Sequence, residues 1–224
     1  LDHCFRAREE SGVKAILLYP MNALASDQAR RLAEMLWDDA RLRGKVTAGL
    51  YVGGDGQYGA ANREHLVDKR GVLRDSPPDI LLTNYKMLDF LLLRPEDRKL
   101  WQHNGPDTLR YLVLDELHTY DGAQGSDVAC LIRRLKDRLG GAAGGICCVG
   151  TAAKIGDKTK DETILAMTRF ATKVFDEEFY EDALITEDRY DASEALGEVV
   201  DIERMPSAKE VGACDPERYD GPEE

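Results

Sequence analysis

Short apolar segments alternate with helix-forming segments along the first 175 residues of this chain. Continuous apolar runs of this length are typical of strands buried on both faces of a parallel sheet. They lie at 15–20, 46–52, 79–83, 111–114 and 146–149. Helical spacing of apolar residues follows at 22–41, 85–93, 127–139 and 157–175, and Ser126 can cap the third of these helices. One further edge strand is predicted at 182–187. The alternation predicts an α/β fold in which helices flank both faces of a doubly wound parallel sheet.

The charge of the chain is distributed unevenly. Its 224 residues carry a net charge of −12, yet residues 176–224 alone contain 18 acidic and 4 basic side chains. Residues 1–175 therefore hold 26 basic and 24 acidic side chains. A nearly neutral body leaves a nucleic-acid partner open. We predict one α/β domain over 1–187 and an acidic linker or extension over 188–224, because the latter has few large apolar residues.

Several protein classes are disfavoured by what the sequence lacks. No apolar run approaches the ~20 residues that a membrane span needs, and no signal-peptide pattern begins the chain. The five cysteines are scattered without a CxxC, which supports neither a disulfide framework nor a zinc ribbon. We expect a soluble cytoplasmic protein with no membrane segment and no disulfide partner. Because the chain begins at Leu1, we also expect it to be part of a longer protein.

Ligands of open parallel sheets bind outside the carboxyl ends of the strands, so the residues that follow each strand are candidates. Asp115 and Glu116 follow the fourth strand. One carboxylate there can hold hydrated Mg²⁺, and a second can orient or deprotonate an attacking water. The alternatives are two solvated acids, or a catalytic metal bound with His118. The remaining histidines form no ligand pattern.

Other strand ends carry groups suited to phosphate. Free amides at the start of the helix after Pro20 can bind a phosphate, and Thr83, Asn84 and Lys86 add two short polar donors and a cation. Gly53-Gly54 allows close backbone approach, although a plain turn explains the doublet as well. The alternative interpretation of Lys86 is an ordinary surface lysine that contacts only solvent.

Taken in order, these segments resemble the motifs of superfamily 2 helicases of the DExH/DEAD-like kind. Residues 20–25 resemble motif Ia, 53–54 the glycine doublet, 83–89 motif Ib, 115–118 motif II and 150–152 motif III. The resemblance covers 13–187 and implies a RecA-like motor domain of the P-loop NTPase type. The stretch 115–126 is also similar to large bacterial helicases that often carry a C-terminal cysteine-rich zinc module.

The resemblance implies a role for each motif. Asp115 would hold Mg²⁺ through water, and Glu116 would act on the water that attacks ATP. His118 and the motif III residues Gly150, Thr151 and Ala152 would couple the nucleotide to the partner domain. Gly150 stands where the family usually has serine, which leaves Thr151 as the hydroxyl of that motif. Nucleic-acid contacts would come from Pro20, Asn22, Ala23, Leu24, Ala25, Gly53, Gly54, Thr83, Asn84 and Lys86, with Met21-Asn22 in place of the Thr-Arg of simpler relatives.

The sequence contains no GxxxxGK[ST] phosphate-binding loop. Residues 156–159 resemble its end only slightly, because Asp157 replaces the glycine before the lysine. The family places this loop one helix before motif Ia, so we expect it upstream of the chain and a second RecA-like domain downstream. We therefore expect the isolated fragment to be inactive.

The predicted function is that of motor domain 1 of an ATP-dependent helicase or translocase, with ATP and Mg²⁺ as cofactors. The resemblance favours DNA over RNA as the nucleic-acid partner. One alternative is a degenerate motor fold kept for protein contacts. Another is a remodelling or defence-system ATPase that does not separate strands.

Overall fold

The computed structural model describes residues 1–54, 56–139, 144–152 and 160–185. Its first compact unit is Leu1–Leu184. The predicted acidic extension over 188–224 and the weak loop-like stretch 156–159 lie outside the described residues. The strands are β1 (Ala15–Tyr19), β2 (Ala48–Tyr51), β3 (Ile80–Asn84), β4 (Tyr111–Leu114) and β5 (Cys147–Gly150). The α-helices are α1 (Asp2–Arg6), α2 (Asn22–Asp38), α3 (Arg70–Asp75), α4 (Tyr85–Leu93), α5 (Gly122–Leu139) and α6 (Lys160–Phe175).

The five strands form one parallel sheet in the order β2-β3-β1-β4-β5. The predicted α/β fold is therefore confirmed. Tyr19 pairs with Asn84, and Leu18 pairs with Leu114, so the ends of β1, β3 and β4 lie at the same edge. This register brings the segments after three separate strands together.

Apolar side chains form one core cluster on each face of the sheet. Helix α2 packs small residues against its face, since Ala25, Ala29 and Ala33 recur every fourth position and are buried. Helix α5 buries larger residues against the other face, including Val128 and Ile132. The spacing of four places each set on one side of its helix.

A buried ion pair joins strands at the amino edge of the sheet. The Lys14 ammonium, 1% exposed, donates to Asp79 Oδ1 at 2.6 Å. The second oxygen of Asp79 accepts from the Thr47 amide at 2.7 Å and its hydroxyl at 2.9 Å. The pair therefore connects the residues that precede β1, β2 and β3, at the end of the sheet opposite the candidate motifs.

Three element predictions differ from the structure. Helix α5 begins at Gly122 rather than at Asp127, and Ser126 donates to the Gly122 carbonyl within the helix instead of capping it. Residues Glu181–Ala183 form a 3₁₀ turn where part of an edge strand was predicted. Helix α2 ends at Asp38, before the predicted residue 41, because Asp39 is extended and accepts the Arg41 amide in a turn.

Within the described ranges, no helix combines the length and the apolar character needed to cross a bilayer.

Candidate functional site

Thr151 joins the predicted motifs II and III. Its hydroxyl donates to Asp115 Oδ1 and accepts the Glu116 amide at 3.1 Å. Its backbone carbonyl accepts the Leu117 amide at 2.6 Å. One residue after β5 therefore holds both predicted catalytic acids, 35 and 36 positions away in the sequence.

Glu116 adopts a left-handed backbone conformation, with φ of 52° and ψ of 49°. This region is unfavourable for a residue with a Cβ atom, and such residues concentrate at functional sites. The Glu116 carbonyl accepts from both the amide and the hydroxyl of Thr119 at 2.8 Å. Its carboxylate lies 3.3 Å from His118 Nδ1. The sharp turn is thus held by hydrogen bonds on both sides while its side chain remains 40% exposed.

Gly150 allows motif III to approach motif II closely. A Cβ atom built on it would lie 2.6 Å from Leu117 Cδ2, well inside contact distance. The glycine in place of the family's serine therefore has a packing reason. Ala152, two residues after Gly150, is exposed beside Thr151.

Asp115 is well placed to hold a cation. It is half-buried at the end of β4, and its amide continues the sheet by donating to the Leu18 carbonyl at 2.9 Å. Thr151 binds one carboxylate oxygen, and no described residue donates to the other. In the part of the chain that the structure describes, no three His, Cys, Asp or Glu side chains form a metal-binding group. One carboxylate fits Mg²⁺ that keeps several waters and binds phosphate oxygens.

A depression of about 510 Å³ lies where β1, β2 and β3 end. It brings together five of the residues predicted to contact nucleic acid, although they belong to three separate motifs. Its lining consists of Pro20, Asn22, Gly53, Asn84, Tyr85, Lys86, Met87, Phe90 and Gln124. A larger depression lies elsewhere, along α6, and includes none of the predicted residues.

Asn84 connects the first and third of these motifs, Ia and Ib. Its side-chain amide donates to Asn22 Oδ1 at 2.5 Å, and its own Oδ1 caps α4 by accepting the Met87 amide at 2.8 Å. Asn22 also lies near Gly53, where an added Cβ atom would be 3.5 Å from Asn22 Nδ2. Met21, the residue before α2, makes no side-chain cap, so the first-turn amides of Asn22, Ala23 and Leu24 are not satisfied in this way.

Two predicted nucleic-acid contacts are structural instead. Thr83 is fully buried, and its hydroxyl donates to the Tyr51 carbonyl at 2.6 Å. Ala25 is also fully buried, and its amide donates to the Met21 carbonyl at 3.2 Å. Neither group is available to a bound strand, because strand and helix periodicity turn both into the core.

The remaining motif residues differ in position. Gly54, with φ of 90°, is exposed next to Gly53 but does not line the depression. Ala23 is exposed, while Leu24 packs against the core cluster beneath α2.

Sequence reasoning missed an aromatic connection between the two sites. Tyr120 follows motif II and is fully buried, and its hydroxyl has no hydrogen-bond partner among the described residues. Its ring meets Tyr85 edge to face at a centroid distance of 6.2 Å, and Tyr85 lines the depression. Burial, and next the charge of Asp115, raise the pKa of Tyr19 to about 12, and burial raises the pKa of Tyr120 as well. Tyr19 and Tyr120, on which the charge of Asp115 acts, therefore stay neutral near this acidic strand end.

Phe90 and Gln124 were also missed. Phe90 lies four residues after Lys86, a spacing that places both on the same face of α4, and that spacing was the available signal. Gln124 lies in the first turn of α5, which begins earlier than predicted, and lines the depression.

A family model for the DEAD/DEAH box helicases matches residues 1–155. The chain belongs to this helicase family. Druantia protein DruE of Escherichia coli (strain UMEA 4076-1) is 39% identical over 93 residues, which are 39% of this chain and 5% of DruE. The uncharacterized ATP-dependent helicase YprA of Bacillus subtilis (strain 168) is 38% identical over 130 residues, 58% of this chain and 15% of YprA. The chain thus spans a small part of these relatives.

A solved helicase structure agrees with this assignment. The DUF1998 helicase MrfA, crystallised with DNA and AMPPNP, matches 74% of this chain and 20% of its own with a TM-score of 0.52 and 27% identity. The resemblance to the first motor domain of a superfamily 2 helicase is confirmed.

Proposed function

We propose that this chain is motor domain 1 of an ATP-dependent DNA helicase or translocase. The observation that carries the proposal is the Thr151 hydroxyl, which binds both Asp115 and Glu116 at the sheet edge that also forms the 510 Å³ depression. The proposed hydrolysis site and the proposed strand-binding site then lie next to each other on the same edge of the sheet. The ATP-dependent helicases among the relatives support the use of ATP.

In this mechanism Asp115 would hold hydrated Mg²⁺, and the ion would supply positive charge next to the phosphates. Glu116 orients the attacking water with a carboxylate that its strained turn directs away from the core. Thr151 fixes both acids by donating to one and accepting the amide of the other. A change at the nucleotide thereby moves the residues after β5, which we propose contact a second RecA-like domain.

Strand binding is proposed for the other end of the same edge. The Asn22–Asn84 pair and Lys86 offer donors and a cation to phosphates without reading base sequence. DNA is proposed over RNA because the similar helicase MrfA was crystallised with DNA. We propose the domain limits 1–187 for this motor domain and 188–224 for an acidic extension.

Tight ATP binding requires a phosphate-binding loop, and these 224 residues do not contain one. The backbone amides and lysine of such a loop supply most of the contacts to the phosphates. We therefore propose that the isolated chain neither binds ATP tightly nor hydrolyses it.

ATP turnover tests the proposal. The 224-residue chain and the longer protein that supplies the phosphate-binding loop are assayed with single-stranded DNA, RNA and duplex DNA, each beside its Glu116→Gln variant. We expect turnover only in the longer protein, stimulation by DNA, and loss in Glu116→Gln. A folded longer protein that is silent with every nucleic acid would favour a non-catalytic module. Turnover by the 224-residue chain that Glu116→Gln abolishes would refute the claim that the chain is inactive.

A further inference from the structure

Helix α4 carries a row of two cations with an aromatic ring between them. Lys86, Phe90 and Arg94 follow one another at intervals of four residues, so they lie on one side of the helix and its end. The Arg94 guanidinium lies over the Phe90 ring, with its carbon 4.1 Å from the ring centroid, and so covers one of the two ring faces. Phe90 is 42% exposed, although Leu88 and Leu91 of the same helix are fully buried.

Phe90 lies between two depressions. It lines the 510 Å³ depression together with Asn22 and Lys86, and it also lines a second one of about 370 Å³ between α4 and α5. The exposed ring is therefore a ridge that borders both depressions. Aromatic rings next to cations are suited to stacking against nucleobases while the cations bind phosphates.

Charge distinguishes the two sides of this ridge. Lys86 makes no ion pair within the described residues, and its ammonium lies 5.8 Å from the Tyr85 ring centroid. The depression on the α5 side contains Asp127 and also Asp89, whose carboxylate pairs with Arg134. Lys86 lines both depressions, but no acidic residue among those described lines the 510 Å³ depression, so phosphates are favoured on that side, next to Asn22.

We infer that Lys86, Phe90 and Arg94 form a base-stacking ridge that extends the nucleic-acid site and selects single strands. This inference rests on the proposed strand-binding function and deepens it. A base can lie flat on the face of Phe90 opposite Arg94 only when it is unpaired, whereas phosphate contacts alone do not separate single strands from duplex. Lys86 and Phe90 are about 6 Å apart along the helix axis, which suits one extended nucleotide.

Matched oligonucleotides with and without bases test the ridge. Fluorescence anisotropy measures binding of the 224-residue chain to a single-stranded oligothymidylate, to an abasic strand with the same phosphates, and to a duplex. Phe90→Leu keeps an apolar side chain but removes the ring. We expect it to weaken oligothymidylate binding about 5-fold or more and to leave abasic binding unchanged.

Two further variants complete the design. Lys86→Gln is expected to weaken oligothymidylate and abasic strand alike and to lower the salt dependence by about one charge. Leu93→Ala is the control, because Leu93 is 58% exposed on the same helix but lines neither depression. Thermal melting confirms that each variant is folded.

The outcomes separate the inference from the function on which it rests. Equal loss on both single strands in Phe90→Leu, or no loss on either, would overturn the ridge while leaving phosphate binding in place. Duplex binding as tight as oligothymidylate binding would overturn the selection of single strands. Absence of all binding at low salt would contradict the proposed nucleic-acid site itself, and the ridge with it.

Discussion

Replacing Glu116 with glycine should make the protein more stable and less active. At φ of 52°, the Cβ atom of Glu116 costs about 1–2 kcal/mol relative to a glycine. Glycine also gains freedom in the unfolded chain, which offsets about 0.5–1 kcal/mol of that relief. The lost contact with His118 joins side chains that are 34% and 40% exposed, and solvent screening keeps its contribution small. We expect a net stabilisation of about 0.5 kcal/mol, or roughly 1–2 °C in Tm.

Asp176→Gly is the matched control. Asp176 has a similar φ of 55°, directly follows α6, and also makes an exposed ion pair, with Arg133 at 2.9 Å. Both variants relieve the same kind of strain, but we propose that Glu116 alone acts on the attacking water. Urea unfolding of both variants and ATP turnover of the longer protein measure the two effects.

The reasoning is refuted in either of two ways. Glu116→Gly could destabilise the chain by more than about 0.5 kcal/mol while Asp176→Gly does not, which would show that the left-handed turn is not strained. Alternatively, Glu116→Gly could retain normal turnover, which would remove the proposed reason for holding a side chain in this conformation. Glu116→Gln, which keeps the backbone strain, should lose turnover without changing stability.

Three further predictions concern the contacts that support the site. Thr151→Val removes two hydrogen bonds to motif II and should lower unfolding free energy by about 1–2 kcal/mol, whereas Thr151→Ser should stay near wild type; equal losses in both would point to packing. Asp79→Asn should cost about 3 kcal/mol in urea unfolding because it leaves the Lys14 ammonium buried without its charge partner, and a cost below about 1 kcal/mol would contradict this reading. Burial raises the pKa of Tyr19 and of Tyr51 to about 12, so stability present below pH 10 should fall as pH rises through 12. Ultraviolet absorbance of phenolate should show both tyrosines ionising late, and ionisation near pH 10 in the folded protein would refute it.

Local sequence patterns predicted the bounds of some strands and helices accurately. The strand at 111–114 and the helix at 85–93 match β4 and α4 at both ends. The predicted start of α5 was too late because Ser126 is a residue type that commonly caps a helix, and the helix was therefore expected to begin directly after it. In the fold, Gly125 packs against the Tyr120 carbonyl, where an added Cβ atom would lie 2.3 Å from the oxygen, and the helix begins before it.

Burial decided which motif residues can reach a ligand. Thr83 and Ala25 have the residue types and positions expected of strand contacts, yet both are buried in the core. Phe90 belongs to an apolar run that indicates core packing, yet its ring is exposed beside Lys86. Residue type does not distinguish these cases, because exposure depends on which neighbouring element covers each face.

The sequence by itself determined the alternation of strands and helices and the order of the polar segments that follow the strands. Apolar periodicity and turn residues act over a few positions, so they predict local elements even when the tertiary structure is unknown. Only the tertiary structure decided which strand ends become neighbours. Because β1 lies between β3 and β4, Asn22 meets Asn84 across 62 positions, and the pairing of β4 with β5 brings Thr151 to Asp115 across 36. Strand order is set by packing and crossover connections between whole elements, which no local pattern contains.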